Sequence, residues 1–341
     1  MAPPNLRPHV TVVIPVHNRV RLLQRAILSA SRQDYEKIEI IVVDDGSSVD
    51  ISAACEAVNL RGTPLRLIKN EKSVGAQRSR LIGANAASGE VVALLDSDDW
   101  WERHKISRQI VEYIIHPDAL ISCQSKSVAT GRVIPEECLN TSQKVEDFIF
   151  CTTGGFLQSS TYLMDRLLLC RALSRCCDFG IHDDIRVALE VQSSGGRVIQ
   201  INETLCNFDD TLRPDRISLD LDKIKYALNW FQENTSTWSG AAKAGYYAKD
   251  TVRRYSQLGK RLNALIYLFK GLHPGVQAGI YLRASAHILL SSSFRRLLVR
   301  AQVNSPQVEC SPISLKTPAV PLIDQQTTED LTLARRPRDL P

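Results

Sequence analysis

Four short apolar runs, each followed by a stretch of helical periodicity, fix what the first hundred residues can become. They are Val10 to Pro15 (VTVVIP), Ile38 to Val43 (IEIIVV), Leu65 to Ile68 and Val91 to Leu95 (VVALL). Continuous runs without polar alternation predict strands covered on both faces, as in a parallel sheet. Between them lie amphipathic segments. Arg19 to Gln33 sets Leu22, Leu23, Ala26, Ile27 and Ala30 on one face, with Asn18 as its N-cap. A short helix capped by Ser47 or Ser48 ends near Ala57, and Gly75 to Ala87 forms a third. Trp101 to His116 is helical and stops at Pro117. This order calls for an α/β fold: a mostly parallel sheet, right-handed crossovers and helices on both faces. Ligands then bind outside the carboxyl ends of the strands, after Val13, Val43 and Leu95.

The remainder is less regular. Ile121 to Val128 reads as a strand, Phe156 to Leu173 mixes strand and helix, Asp183 to Ser193 is a helix and Arg197 to Ile201 a last strand. Beyond Ser218 the pattern turns helical, and from Val303 repeated Ser-Pro and Thr-Pro pairs predict disorder. The expected organisation is a flexible N-terminus (1–8), an α/β domain (9–218, with halves meeting near 118), a helical region (219–302) and a disordered tail (303–341).

The net charge of +5 conceals an asymmetry. Lys243 to Arg300 holds eleven basic residues against one acid, Asp250, so the rest of the chain is net acidic. Concentrated basic charge implies an anionic partner. Leu262 to Leu272 and Ile280 to Leu298 combine such charge with apolar residues. They fit either an anionic membrane surface or a helical subdomain packed on the α/β domain. No uncharged apolar stretch approaches the ~18 residues of a membrane span, and Met1 to Pro8 lacks the apolar core of a secretory signal. The expected location is cytoplasmic, peripheral to the inner membrane face under the first reading. Nine scattered cysteines lack zinc spacing and read as plain thiols.

Two acidic clusters end two strands: Asp44-Asp45-Gly46-Ser47 and Asp96-Ser97-Asp98-Asp99. Carboxylates crowded at a strand end repel one another and invite a counter-cation. An all-oxygen set suits Mg²⁺ or Mn²⁺, which take one or two carboxylates plus substrate phosphates. The plainer alternative is a solvated turn or a helix cap; Asp99 reads as the cap of the helix starting at Trp101.

These pieces resemble the family 2 glycosyltransferases of the GT-A fold, from Val10 to about Ser218. Val13 to Arg19 (VIPVHNR) is similar to the family's IIPVYN, with His17 in place of Tyr. Gln33-Asp34-Tyr35, Glu39, VVDDGS, Ala76-Gln77-Arg78-Ser79 (for AARN), Ala87-Ser88-Gly89-Glu90 and LLDSDD follow in register. The resemblance implies inverting transfer of one sugar from a nucleoside-diphosphate sugar, by default a UDP-sugar, to a saccharide or lipid-linked acceptor in surface polysaccharide or glycolipid synthesis. It implies a divalent metal cofactor (Mn²⁺ or Mg²⁺) and no nucleic-acid partner. Pro15, Val16 and Asn18 would lie along the nucleotide, Asp44 on the base, Arg78 on the nucleotide and Asp96 at the ribose and diphosphate. Asp98, with Asp96, would hold the metal. Asp183-Asp184, ahead of a helix and a Gly-Arg-Val strand, resembles the acceptor-side motif. There Asp184 is the catalytic base and Asp183 the fallback, or both merely cap the helix. Arg213 and Arg216 would meet the diphosphate, or belong to a solvated loop. The QxxRW motif of processive synthases is absent, which argues for a single addition.

Two other classes stay open: a nucleotidyltransferase, although no Gly-rich loop follows the first strand, and a nucleotide-sugar binding protein without turnover. No GxGxxG follows any strand, which argues against a dinucleotide-dependent dehydrogenase.

Overall fold

The computed structural model describes residues 7–176, 182–211 and 221–290. Arg213, Arg216, the expected tail and the end of the Ile280–Leu298 segment lie outside the described residues. Each apolar run is a strand: β1 (Val10–Val16), β2 (Ile38–Asp44), β3 (Leu65–Lys69) and β4 (Val91–Leu94). β1 pairs in parallel with both β2 and β4, so Val13 faces Ile41 on one side and Leu94 on the other. The crossovers carry α1 (Val20–Ser31), α2 (Ile51–Glu56) and α3 (Ala76–Ala86).

Two expected caps are corrected. Asn18 is not the cap of α1, which starts from Arg19 without a side-chain cap. Asn18 is left-handed (φ 57°) and its Oδ1 accepts from the Ser48 amide at 2.8 Å. Ser47 donates its amide to Asp44 Oδ1 at 2.9 Å, so neither serine caps α2; Asp50 does, accepting from the Ala53 amide. Asn18 and the two serines instead clasp the loops after β1 and β2 together.

The chain continues through β5 (Trp100–Trp101), α4 (Lys105–Ile115), β6 (Ala119–Ser127), β7 (Val133–Ile134), α5 (Val145–Cys151), β8 (Leu163–Asp165), α6 (Arg166–Cys176), α7 (Asp183–Ser193) and β9 (Arg197–Phe208). Among the described residues the sheet order is β3-β2-β1-β4-β8-β6-β9-β5, with β7 on β6. It is parallel through β1–β4 and mixed beyond, because β8, β5 and β7 run antiparallel to their neighbours. The helix expected from Trp101 therefore begins only at Lys105. Trp100 and Trp101 pair with Asn207 and Cys206, and the Trp101 indole N–H donates to the Ser160 carbonyl at 2.7 Å. A bulky aromatic pair fits a pleated sheet edge better than a first helical turn.

Strand alternation divides the core. Val12, Ile14, Ile40 and Val42 face α1, α2 and α4, while Val13, Ile41, Val43 and Leu94 face α3, α6 and α7. The second core extends into the C-terminal helices: α8 (Leu221–Asn234), α9 (Gly240–Gly245), a π-helical turn (Tyr246–Thr251), α10 (Val252–Gln257), α11 (Arg261–Lys270) and α12 (Ala278–Leu289). Tyr246 stacks on Phe231 at 4.1 Å, and Trp238 stacks on Phe150 of α5 at 5.3 Å. The basic region thus packs on the α/β domain. Yet α11 buries only Ala264 and leaves Leu262 and Phe269 at 72% and 70% exposure. No described helix is long and apolar enough to cross a membrane.

Candidate active site

Because β1 lies between β2 and β4, both acidic clusters leave the sheet at the same carboxyl edge. Val16 pairs with Asp44, and the amides of Asp45 and Leu95 donate to the carbonyls of Val16 and Val13. Pro15 and Val16 are buried at this edge, and Asn18 is exposed just beyond it. Asp44 is buried and accepts from Ser47.

Asp45 holds the loop together. Its carboxylate accepts from the amides of Val74 and Gly75, the hydroxyls of Ser73 and Ser79, and the amide nitrogen of Asn70, all within 2.7–3.0 Å. Burial alone would raise its pKa, but these bonds, led by Val74, bring it below the ordinary carboxylate range. Gly46 is required beside it: its φ is +69°, and a Cβ there would meet the Ser73 nitrogen at 2.6 Å.

The second cluster is arranged by arginines and serines. Arg80, buried on α3, donates to Asp96 Oδ1 at 2.5 Å and lies 4.0 Å from Asp184 Oδ1. Burial opposes its charge, but Asp96 and then Asp184 more than offset this and raise its pKa. Arg78 is exposed on the opposite side of α3. The chain sets Arg80 against Asp96, a residue that motif matching passed over; the helical period that aligns Gln77, Arg80 and Ala84 on one buried stripe was its signal. Asp98 accepts from Arg19 at 2.7 Å through Oδ2, and its carbonyl accepts from Arg25. Asp99 is not a helix cap: it accepts from the Ser160 hydroxyl at 2.5 Å and the Asp209 amide at 2.9 Å, and burial, with Asp98 and Asp96 nearby, pushes its pKa well up. Ser159 donates to Asp184, and Ser160 accepts from the Asp96 amide at 3.0 Å. A Ser-Ser-Thr run inside an otherwise apolar stretch was the only hint of these supports.

Asp183 and Asp184 open α7, preceded by His182 in the left-handed region (φ 72°). His182 Nε2 lies 3.0 Å from Asp250 Oδ2 on the π-helical turn. Gln77 donates to the Asp183 carbonyl at 2.9 Å and Tyr162 to the Asp184 carbonyl at 3.0 Å. Asp183 Oδ1 is buried without a hydrogen-bond partner. Burial raises the Asp183 pKa to about 7, against Arg80, which lowers it. Asp184 is also raised by burial, with Arg80 and Ser159 resisting.

The donor set fits a divalent ion of the substrate-bridged kind. Among the described residues no three His, Cys, Asp or Glu side chains converge on one point, so the chain supplies no full cage. Asp96 and Asp98 are two partly exposed carboxylates on one loop, which is the one-or-two-carboxylate arrangement that Mg²⁺ or Mn²⁺ completes with phosphate oxygens and water.

Residues 11–155 match the family model for glycosyl transferase family 2. Over 266 residues the chain is 24% identical to the amylovoran biosynthesis glycosyltransferase AmsB of Erwinia amylovora, covering 74% of this chain and 87% of AmsB. Over 90 residues, 26% of this chain, it is 33% identical to the glycosyltransferase GlyG of Streptococcus pneumoniae, of whose length it spans 30%. The S. aureus TarS 1–349 structure in complex with UDP-GlcNAc matches with a TM-score of 0.59 at 16% identity, covering 86% of this chain and 88% of that one. The mannosyltransferase PcManGT from Pyrobaculum calidifontis, in complex with GDP-Man and Mn²⁺, matches at 0.51 with 20% identity, covering 87% and 85%. At such identities the structural likeness speaks for the fold alone, which is the GT-A fold with a C-terminal helical region.

Proposed function

We propose, from the premise that residues 11–155 belong to glycosyl transferase family 2, that the chain transfers one sugar from a nucleoside-diphosphate sugar to a saccharide or lipid-linked acceptor, with inversion. The observation that carries this is the buried guanidinium of Arg80, bonded to Asp96 on one side and 4.0 Å from Asp184 on the other. It supports a reading in which a donor-side carboxylate and a base share one site.

In this reading Pro15, Val16 and Asn18 flank the nucleotide, and Asp44 accepts from the imide N–H of a pyrimidine. Asp98 and Asp96 would hold a divalent ion on the diphosphate, which neutralises the charge of the leaving group. Arg78, Arg213 and Arg216 remain proposed contacts to nucleotide and diphosphate. Asp184 takes the acceptor hydroxyl's proton; burial raises its pKa, which makes it a stronger base than an ordinary solvated carboxylate. Ser159 and Arg80 orient it.

The same reading sets the chain against the cytoplasmic membrane face. Leu262, Leu265, Ile266 and Phe269 form an exposed stripe on α11 beside Lys260, Arg261 and Lys270, a pattern suited to anionic lipid headgroups. In a flotation assay the chain should rise with anionic liposomes at low salt and not with neutral ones; a chain that stays down with both removes the membrane from the reading.

A thermal-shift panel of nucleotide sugars with Mn²⁺ tests the main proposal. A ligand at about 100 times its Kd adds roughly 2.7 kcal/mol of stability, so the true donor should stand out and the shift should vanish with EDTA. No shift from any nucleotide sugar at millimolar concentration overturns the reading. A shift indifferent to EDTA removes the metal from it.

A further inference from the structure

Asp184 forms part of the wall of a cavity of about 630 Å³, a size typical of small-molecule sites. The sheet side supplies Phe156 and Phe208, whose rings lie 5.4 Å apart. The C-terminal helices supply the rest, including four cations: Lys249, Arg253, Arg254 and Arg283.

The four are not equivalent. Lys249 donates to the carbonyls of Ile149, Thr152 and Gly155 and tethers the end of α5. Arg254, buried, donates to Asp250 Oδ2 at 2.6 Å. Asp250 also takes Arg253 at 3.0 Å and His182 at the same distance. One buried carboxylate therefore stands against two arginines and a histidine. Arg283 is exposed, and among the described residues its hydrogen bond is one long bond to the Thr153 carbonyl at 3.3 Å. Besides Asp250, the only carboxylate among the cavity's described lining residues is Asp184 itself.

A neutral sugar hydroxyl needs no such excess of guanidinium. Arginine recognises phosphate by paired, charge-assisted bonds, and an accessible guanidinium at a cavity wall is suited to that task. Resting on the glycosyltransferase reading above, we infer that this cavity is the acceptor site and that the acceptor bears a phosphate or diphosphate ester, held by Arg283 and Arg253 while a sugar hydroxyl faces Asp184. The two phenylalanines give the uncharged part of the acceptor an apolar surface. In the transfer step the acceptor O–H proton passes to the Asp184 carboxylate. The acceptor oxygen bonds to the donor's anomeric carbon, and the bond from that carbon to the diphosphate breaks. The nucleoside diphosphate leaves with the electron pair.

The test is calorimetric titration of the full chain, with Mn²⁺ and saturating UDP filling the donor site, against three probes: methyl glucoside, glucose 1-phosphate and a farnesyl-diphosphate-linked glucose. Both phosphorylated probes should bind about tenfold or more tighter than the neutral glucoside. Arg283→Glu should abolish that preference without changing UDP affinity, and Arg283→Lys should restore most of it. A further gain for the farnesyl probe assigns the phosphate to a lipid linkage; equal binding assigns it to the saccharide itself. Equal affinity for all three probes, or a preference that survives Arg283→Glu, overturns the inference. If the preference holds and is lost in Arg283→Glu while UDP fails to bind, the donor reading falls and the anion site stands.

Discussion

At the end of β2, Asp45 is surrounded by five donors; at the start of α7, Asp183 keeps a buried oxygen with no partner and Asp184 is met by Ser159 and by a guanidinium 4.0 Å away. Asp45 is buried and the Asp183–Asp184 pair is partly buried, and the results are opposite. Hydrogen bonds pull Asp45 below the usual carboxylate range, while burial pushes Asp183 and Asp184 above it. A carboxylate saturated with donors is a structural tie, because protonating it would break bonds already made. One starved of donors is poised to accept a proton, and its folded state is correspondingly strained.

The contrast breaks most directly at Asp184. Asp184→Asn should retain nucleotide-sugar binding and lose about 10²–10⁴-fold in turnover, as removal of a general base does. Comparable turnover would move the role to Asp183. The next effect belongs to the structural tie. Asp45→Ala strands the amides of Val74 and Gly75 and should cost about 3 kcal/mol in urea unfolding. A loss under about 1 kcal/mol would mean these donors find other acceptors and the saturated shell matters little.

A third effect is in the pH dependence of stability. Asp183 has a folded pKa of about 7, against an ordinary unfolded value near 3.9. Between these the unfolded chain loses its proton and the folded chain keeps it, so stability falls as pH rises through that window. Asp183→Asn removes this penalty. Its Tm relative to the parent should therefore climb from pH 4.5 to pH 8, and a constant difference would show that Asp183 is not strained.

The same two regions differ in how much of them the sequence discloses. β1 and β2 are legible because an unbroken β-branched run covered on both faces has few alternatives, and Asp183–Ser193 is legible as a helix. The caps were not. Asn18, Ser47 and Ser48 have cap chemistry, but the chain uses them across the gap between two loops, a tertiary choice that local preference does not encode. Trp101 was misread as the start of a helix because its partner strand, β9, lies a hundred residues away. The site divides similarly. Motif spacing located both acidic clusters and the Asp183–Asp184 pair. Arg80 and Ser159 act through contacts between distant elements and carried only a faint periodic or compositional trace.

The contact between His182 and the π-helical turn bears on where the working unit ends. The family-matched stretch stops at residue 155, and a minimal fragment designed from it would exclude α7. Extending it to the end of β9 would recover α7 but strip away Asp250, which lies 3.0 Å from the residue just ahead of the two aspartates. The family-matched stretch is thus shorter than the span of chain that packs around the two aspartates. The C-terminal helices share the core of the α/β domain and wall the cavity beside Asp184, so removing them would open that cavity.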